Sequence, residues 1–204
     1  MARGLFINFE SIDGGGKDTQ IPLLSERLQN LGHQLFIGVE PTYNFPAGQR
    51  IRQILAHKLP APEPAKMQYL YYEDRVAHVH TMLEPILAAG AIVLENRYMF
   101  STMAYGIAFG VDYDLIRQWH SDMPLPDINF YLKVSPAVAI ERLTKKGKLE
   151  YFEKLESLTR ISESYDQLWQ RTEWKDSVVI INGEQTIEKI HEEIWSHIQA
   201  KLVA

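Results

Sequence analysis

The stretch GLFINFESIDGGGKDTQIPLLSERLQNLG, residues 4–32, decides the fold. It opens on a short apolar run (4–10), passes through the glycine-rich SIDGGGKDTQ (11–20) and continues as a helix-compatible segment over 17–31. A phosphate-binding loop reads G-x-x-x-x-G-K-[ST] between a strand and a helix. Gly16 and Lys17 fit that pattern, and Gly14, Gly15 and Gly16 let backbone N–H groups come close to phosphate oxygens. Lys17 would reach the β- and γ-phosphates, helped by the partial positive charge of the helix N-terminus. Two positions depart: Ser11 replaces the first glycine, and Asp18 stands where a Ser or Thr hydroxyl would bind Mg²⁺. On these residues alone, a glycine-rich turn capped by Asp or Thr remains the other reading.

Working outward, four more apolar runs bounded by turn signals follow at 34–40, 91–98, 128–134 and 177–182. Helix-compatible stretches separate them at about 47–57, 64–89, 100–121, 136–173 (interrupted) and 185–202. Strands apolar on both faces and alternating with helices predict an α/β fold: a three-layer α/β/α P-loop sandwich around a five-stranded parallel sheet. In the last stretch Ile187, Ile190, Ile194 and Ile198 recur three or four residues apart, the pattern of a helix packing on the sheet. No repeat or linker interrupts the chain, and the Pro-rich 59–66 reads as one loop. All 204 residues are therefore read as a single domain.

Composition excludes several classes. There is no cysteine, hence no disulfide scaffold, cysteine-based metal site or thiol nucleophile. Lys and Arg total 21 against 26 Asp and Glu, so no sequence-wide basic surface exists for a DNA or RNA polymer or an anionic membrane. The N-terminal run is broken by Glu10 and Asp13 and is not a signal peptide, and the longest apolar run, 86–94, is about half a membrane span. A soluble, cytoplasmic product is expected.

Six blocks in register carry a family resemblance. FESIDGGGKDTQ (9–20) resembles the FEGxDGxGKSTQ opening of thymidylate kinases, and EPT (40–42) sits at that family's Glu-Pro turn. YLYYEDRVAHV (69–79) is similar to LFxADRxxHV, and ENRYMFSTMAYG (95–106) to DRYxxSSxAYQG. PDINFYLKVSPAVAIERL (126–143) is similar to PDLTFYLDVxPExALERL, and 149–168 to the lid and the helix after it. The resemblance spans about residues 4–170. It implies ATP- and Mg²⁺-dependent phosphorylation of dTMP to dTDP by a homodimer, with a lid near 144–153.

Site residues follow from the matched positions. The resemblance implies that Ser11, Ile12, Asp13, Gly14, Gly15, Gly16, Lys17, Asp18 and Thr19 hold ATP, with Asp18 at the metal. Tyr71 would stack on the thymine ring, and Arg75 would meet the base and the acceptor end. Arg97 would hold the acceptor phosphate, with Asp13 facing it, and Glu40 and Pro41 would shape that side. Ser101 and Tyr105 would line base and sugar, Tyr105 where the family excludes a ribose 2′-OH. Arg142 would aim at the donor phosphates. The family's following cation is missing at Glu150-Tyr151, and Lys145, Lys146 and Lys148 lie close enough to substitute. Lys17, Arg97 and Arg142 are the implied catalytic cations.

The chemistry needs no general base, because a nucleoside monophosphate is largely ionised at neutral pH (second pKa about 6). Two polyanions must be aligned and neutralised. Asn96 stands where the family's Asp-Arg-Tyr carries a carboxylate, and Asp18 adds one where a hydroxyl belongs; these two departures are read as one exchange. Gly106 replaces a family glutamine. Two rivals stay open. A deoxynucleoside kinase would use a carboxylate base, for which Glu40 is available, and a nucleotide-binding relative would have weak catalysis.

Overall fold

The computed structural model describes residues 3–147 and 150–202, and of Lys146 only the backbone. In chain order the elements are β1 (Phe6–Glu10), α1 (Lys17–Asn30), β2 (Leu35–Val39), α2 (Pro46–Leu55), α3 (Pro64–His78), α4 (Glu84–Ala88) and β3 (Ile92–Asn96). They continue with α5 (Met99–Ala108), α6 (Tyr113–Trp119), β4 (Ile128–Lys133), α7 (Pro136–Lys146), α8 (Leu155–Gln170), β5 (Val179–Asn182) and α9 (Ile187–Leu202). The five strands form one sheet in the order β2-β3-β1-β4-β5. Every pairing is parallel, with Phe9 opposite Asn96 on one side and Phe130 on the other.

β1 is buried along its whole length because helices cover both faces of the sheet. Its side chains divide by the period of two. Ile7 and Phe9 pack with Leu24 and Leu28 of α1 and Ile194 and Ile198 of α9. Phe6 faces the other way, into the cluster of α3, α5 and α8 that holds Leu70, Met103 and Leu158. On that same side Asn8 Nδ2 donates to Asn129 Oδ1 (2.7 Å) and to Glu10 Oε1 (3.1 Å), linking the polar positions of β1 and β4, while Asn8 Oδ1 and Asn129 Nδ2 have no partner among the described residues.

Two of the expected helices are subdivided. The segment read as 64–89 turns through a π-helical stretch, Val79–Leu83, before α4, whose first turn contains Pro85. A proline has no N–H for the ladder, and a widened turn accommodates it. The segment read as 100–121 breaks at Gly110, whose φ of 78° ends α5; Asp112 then caps α6, accepting from Leu115 N at 2.9 Å. The parallel order brings Glu10, Val39, Asn96 and Lys133 to one edge of the sheet, the carboxyl ends where open α/β sheets bind ligands.

Candidate active site

A cleft of about 740 Å³ lies over those strand ends. Its floor is the glycine loop. Gly14 and Gly16 hold φ of 80° and 102°, and Gly16 caps α1. A Cβ on Gly14 would sit 2.6 Å from Ala139 O, and one on Gly15 would sit 1.5 Å from Ser11 Oγ. The second contact explains Ser11: its hydroxyl, donating to Leu132 O at 2.7 Å, fills the space that a bare Gly15 leaves. Ile12 turns its side chain into the core and contributes backbone only, its carbonyl accepting from Gly15 N at 3.2 Å.

Lys17 lies buried on this floor, its ammonium 3.4 Å from Ser11 O. Burial, and then the neighbouring Arg97, bring its pKa down to about 7. Arg97 follows β3 in the left-handed backbone region, φ 72°, a conformation that costs a non-glycine residue about 1–3 kcal/mol. Its guanidinium donates to Ser11 O (2.9 Å) and Ser101 Oγ (3.0 Å) and pairs with Asp13. Tyr105 donates its hydroxyl to the other Asp13 oxygen at 2.9 Å. Burial pushes the Asp13 carboxyl up, but Arg97 and Lys17 outweigh it and hold the group below its usual range. Behind them, Glu10 accepts from Tyr98 N (2.9 Å), Ser101 Oγ (2.5 Å) and Tyr165 Oη (2.7 Å). Ser101 lines the cleft, yet its hydroxyl is committed to Glu10 and Arg97, so it positions the arginine.

The far wall comes from α3, the 40–42 turn and α5. Tyr71 lines it half-buried. Arg75, only 1% exposed, is gripped by Glu40 Oε2 (2.6 Å from Nη2 and 2.7 Å from Nε) and donates to Thr102 Oγ1 (2.9 Å). It also donates to His120 Nε2 (2.6 Å), so His120 carries its proton on Nδ1, which donates to Ile116 O (2.7 Å). Burial and Arg75 bring the His120 pKa down to about 3, keeping the ring neutral. Thr42 is clamped by both oxygens of Asp74, which holds the turn and Pro41 against α3.

Glu40 Oε1 lies 3.2 Å from His78 Nδ1, and Glu95 Oε1 lies 4.0 Å from the same nitrogen. Glu40, His78 and Glu95 are the three ligand-type side chains that come together within 4.8 Å among the described residues. Both Glu95 oxygens lack hydrogen-bond partners among the described residues. Burial, and then the Glu40 carboxylate, raise its carboxyl well above the usual range. Glu40 is thus already engaged by Arg75 and His78, which leaves it poorly placed to serve as a general base.

At the opposite end, Arg142 donates to Gly183 O (3.0 Å) and Gly14 O (3.4 Å), joining the glycine loop to the turn after β5. Lys145 lines the mouth and pairs with Glu141 (2.6 Å); the Lys146 side chain and Lys148 lie outside the described residues. Tyr151, half of the dipeptide in place of the expected second cation, donates its N–H to Leu55 O (3.3 Å). Phe152 packs edge-on against Tyr105 (ring centroids 5.3 Å apart). This segment therefore bridges α2 and α5 across the cleft through a backbone hydrogen bond and ring packing instead of charge.

Sequence reasoning missed several lining residues. Arg52, which donates to Pro41 O and Thr42 O and lies 3.4 Å from the Tyr43 ring, has no motif to announce it. Gln68 reads as an unremarked helix position. Ile187, assigned to the core stripe of α9, is 49% exposed and lines the cleft beside Gln185, while Ile190, Ile194 and Ile198 are buried. Its place at the first turn separates it from the sheet that the later turns cover.

Asp18 and Thr19 line the cleft beside Lys17, and Asn96 Nδ2 donates to Asp18 Oδ1 (3.0 Å). One carboxylate next to a phosphate-binding loop is an oxygen donor set that suits Mg²⁺, which takes one or two carboxylates plus phosphate oxygens and waters. No helix among the described residues is long and apolar enough to cross a membrane.

Comparison with known proteins bears on this cleft. The sequence model of the family described as thymidylate kinase matches residues 9–194. The chain is 32% identical to the probable thymidylate kinase of Pyrococcus horikoshii over 207 residues, 98% of each chain. It is 36% identical to the thymidylate kinase of Desulfotalea psychrophila, covering 81% of this chain and 82% of that one. With the thymidylate kinase of Synechococcus sp. it shares 36% identity over 94% of each.

Proposed function

The chain belongs to the thymidylate kinase family, and from that premise we propose that the cleft transfers the γ-phosphoryl group of ATP to dTMP, forming dTDP and ADP. The observation that carries this reading is the pairing of two anion-binding ends in one cleft, Lys17 with its glycine loop and Arg97 with its Ser11, Ser101 and Asp13 contacts. In-line transfer needs both phosphates there together.

The glycine loop with Lys17, Thr19 and Arg142 receives the ATP phosphates, and Arg97 takes the acceptor phosphate, with Asp13 turning it and Tyr105 closing the sugar side. An ionised phosphate oxygen of dTMP forms a bond to Pγ as the bond from Pγ to the β,γ-bridging oxygen breaks, and ADP leaves with the electron pair. Lys17, Arg97 and Arg142 offset the charge that builds on the transferring group. Asp18 would hold Mg²⁺, which would supply positive charge at the donor phosphates. Tyr71 and the Glu40–Pro41 turn shape the base side, with Arg75 held rigid by Glu40. The segment 144–153, read as the lid, would exclude water, with Lys145 at the mouth of the cleft. The same reading entails a cytoplasmic enzyme working as a homodimer.

An ADP-release assay over thymidine, dTMP, dUMP, dCMP and dGMP tests the proposal. Turnover is expected with dTMP and Mg·ATP. Turnover of thymidine without dTMP would make it a nucleoside kinase, and tight nucleotide binding with no turnover in Mg²⁺ or Mn²⁺ would make it a non-catalytic relative.

A further inference from the structure

Gln68 is 1% exposed, and its amide oxygen Oε1 finds no hydrogen-bond partner among the described residues. It nevertheless lines the cleft. On α3 it stands three residues before Tyr71 and seven before Arg75, so the three share one helix face. A buried amide acceptor left without a partner destabilises the free protein, and that cost is recovered when a donor arrives.

The neighbouring helix supplies no alternative group. A Cβ on Gly106 of α5 would stand 3.5 Å from Gln68 Cγ and 2.1 Å from Ile116 Cδ1. A side chain at that position would therefore run into Ile116, and the Gln68 amide is the polar group that reaches this part of the wall. Thr102 is already taken by Arg75, and Ser101 by Glu10 and Arg97. Tyr105 donates to Asp13. Gln68 Oε1 is the buried side-chain acceptor on this wall that lacks a partner among the described residues.

We propose that Gln68 is a base-reading residue, its Oε1 accepting the N3–H of a lactam pyrimidine such as thymine or uracil stacked at Tyr71. An amide is suited to this edge, because its oxygen accepts from N3–H while its NH₂ can donate to the adjacent ring carbonyl. The inference rests on the monophosphate-kinase reading for the identity of the ligand, so its test reads binding and not turnover.

The experiment is calorimetric titration of the parent and Gln68→Met with dTMP, N3-methyl-dTMP and 2-deoxyribose 5-phosphate. The parent should bind dTMP about tenfold more tightly than the N3-methyl compound, the worth of one well-formed hydrogen bond. In Gln68→Met that preference should fall towards unity, with binding of the base-free sugar phosphate unchanged. An undiminished preference in the variant, or an equal loss on all three ligands, would overturn the assignment. Should Gln68→Met not fold, the parent alone decides by its side-chain amide NMR signals. The Gln68 pair should move on adding dTMP and stay still with 2-deoxyribose 5-phosphate, and signals that ignore dTMP would overturn it. Absence of dTMP turnover in the parent would count against the kinase reading and leave this binding result intact.

Discussion

Asn96 Nδ2 donates to Asp18 Oδ1 at 3.0 Å, joining the carboxyl end of β3 to the first turn of α1 across 78 positions of sequence. Both residues depart from the family pattern, and the fold sets them in contact. A carboxylate gained at one and lost at the other leaves the local charge unchanged, as an exchange requires.

Asp18→Ser and Asn96→Asp should each lower kcat/KM by about 10–100-fold, the range for disturbing a metal's surroundings, and the double variant should recover most of it. Mn²⁺ affinity in the presence of ATP, read by electron paramagnetic resonance, should follow the same pattern. A single Asp18→Ser protein as active as the parent would end the exchange idea.

Arg97 is held by three acceptors at once, Ser11 O, Ser101 Oγ and Asp13. A lysine keeps the charge but cannot span them. Arg97→Lys should reduce kcat by about 10²–10³-fold, as loss of a preorganised charge-stabilising group does, and raise KM for dTMP with KM for ATP little changed. Steady-state kinetics with each substrate varied will show the split, and equal loss on both would place Arg97 outside the acceptor end.

Lys17 has a pKa of about 7 in the free cleft, against 10.5 ordinarily. Above pH 7 the amine is therefore largely neutral, and bound phosphates favour the ammonium. Nucleotide binding at pH 8 should take up about one proton, and Lys17→Met should abolish the uptake. Titrations in buffers of different ionisation enthalpy measure it. No uptake by the parent at pH 8 would contradict the assigned shift.

Glu95 is buried with neither oxygen hydrogen-bonded among the described residues, and its carboxyl is raised well above the usual 4.5. Its folded-state pKa exceeds the unfolded one, so the folded chain holds an extra proton between the two values. Stability contributed by this group is present below the unfolded pKa and is lost as pH rises through the folded one. Glu95→Met should raise stability at pH 8 by about 1–3 kcal/mol, with the gain narrowing towards pH 4.5. Denaturant melts at the two pH values provide the comparison, and a destabilised Met variant at pH 8 would show that the carboxyl has a partner in solution.

Much of this was legible beforehand. All five strands fall within the apolar runs, and α1 starts at Lys17 as the glycine loop predicts. Helix breaks were harder to see. Gly110 and Pro85 sit inside stretches whose apolar content runs on, so composition masks the interruption, and the break depends on where Asp112 finds Leu115 N–H. At the site, Lys17 and Arg97 could be named because motif and strand end place them. Gln68 and Arg52 could not, since an amide or a guanidinium on a helix carries no local mark of what it faces.

The sequence by itself determined the class of the molecule: five apolar strands alternating with helices, and a phosphate loop at the end of the first. Those features depend on side-chain period and glycine conformation over a few neighbouring residues, which any reader of the chain can count. Only the tertiary structure decided which groups meet. Placing β1 between β3 and β4 brings Asp18 to Asn96 and Asp13 to Arg97. Packing α3 against α5 leaves Gln68 with an open acceptor beside a bare Gly106. Hydrogen bonds act over about 3 Å, so they register the final packing of distant segments and leave no periodic trace along the chain.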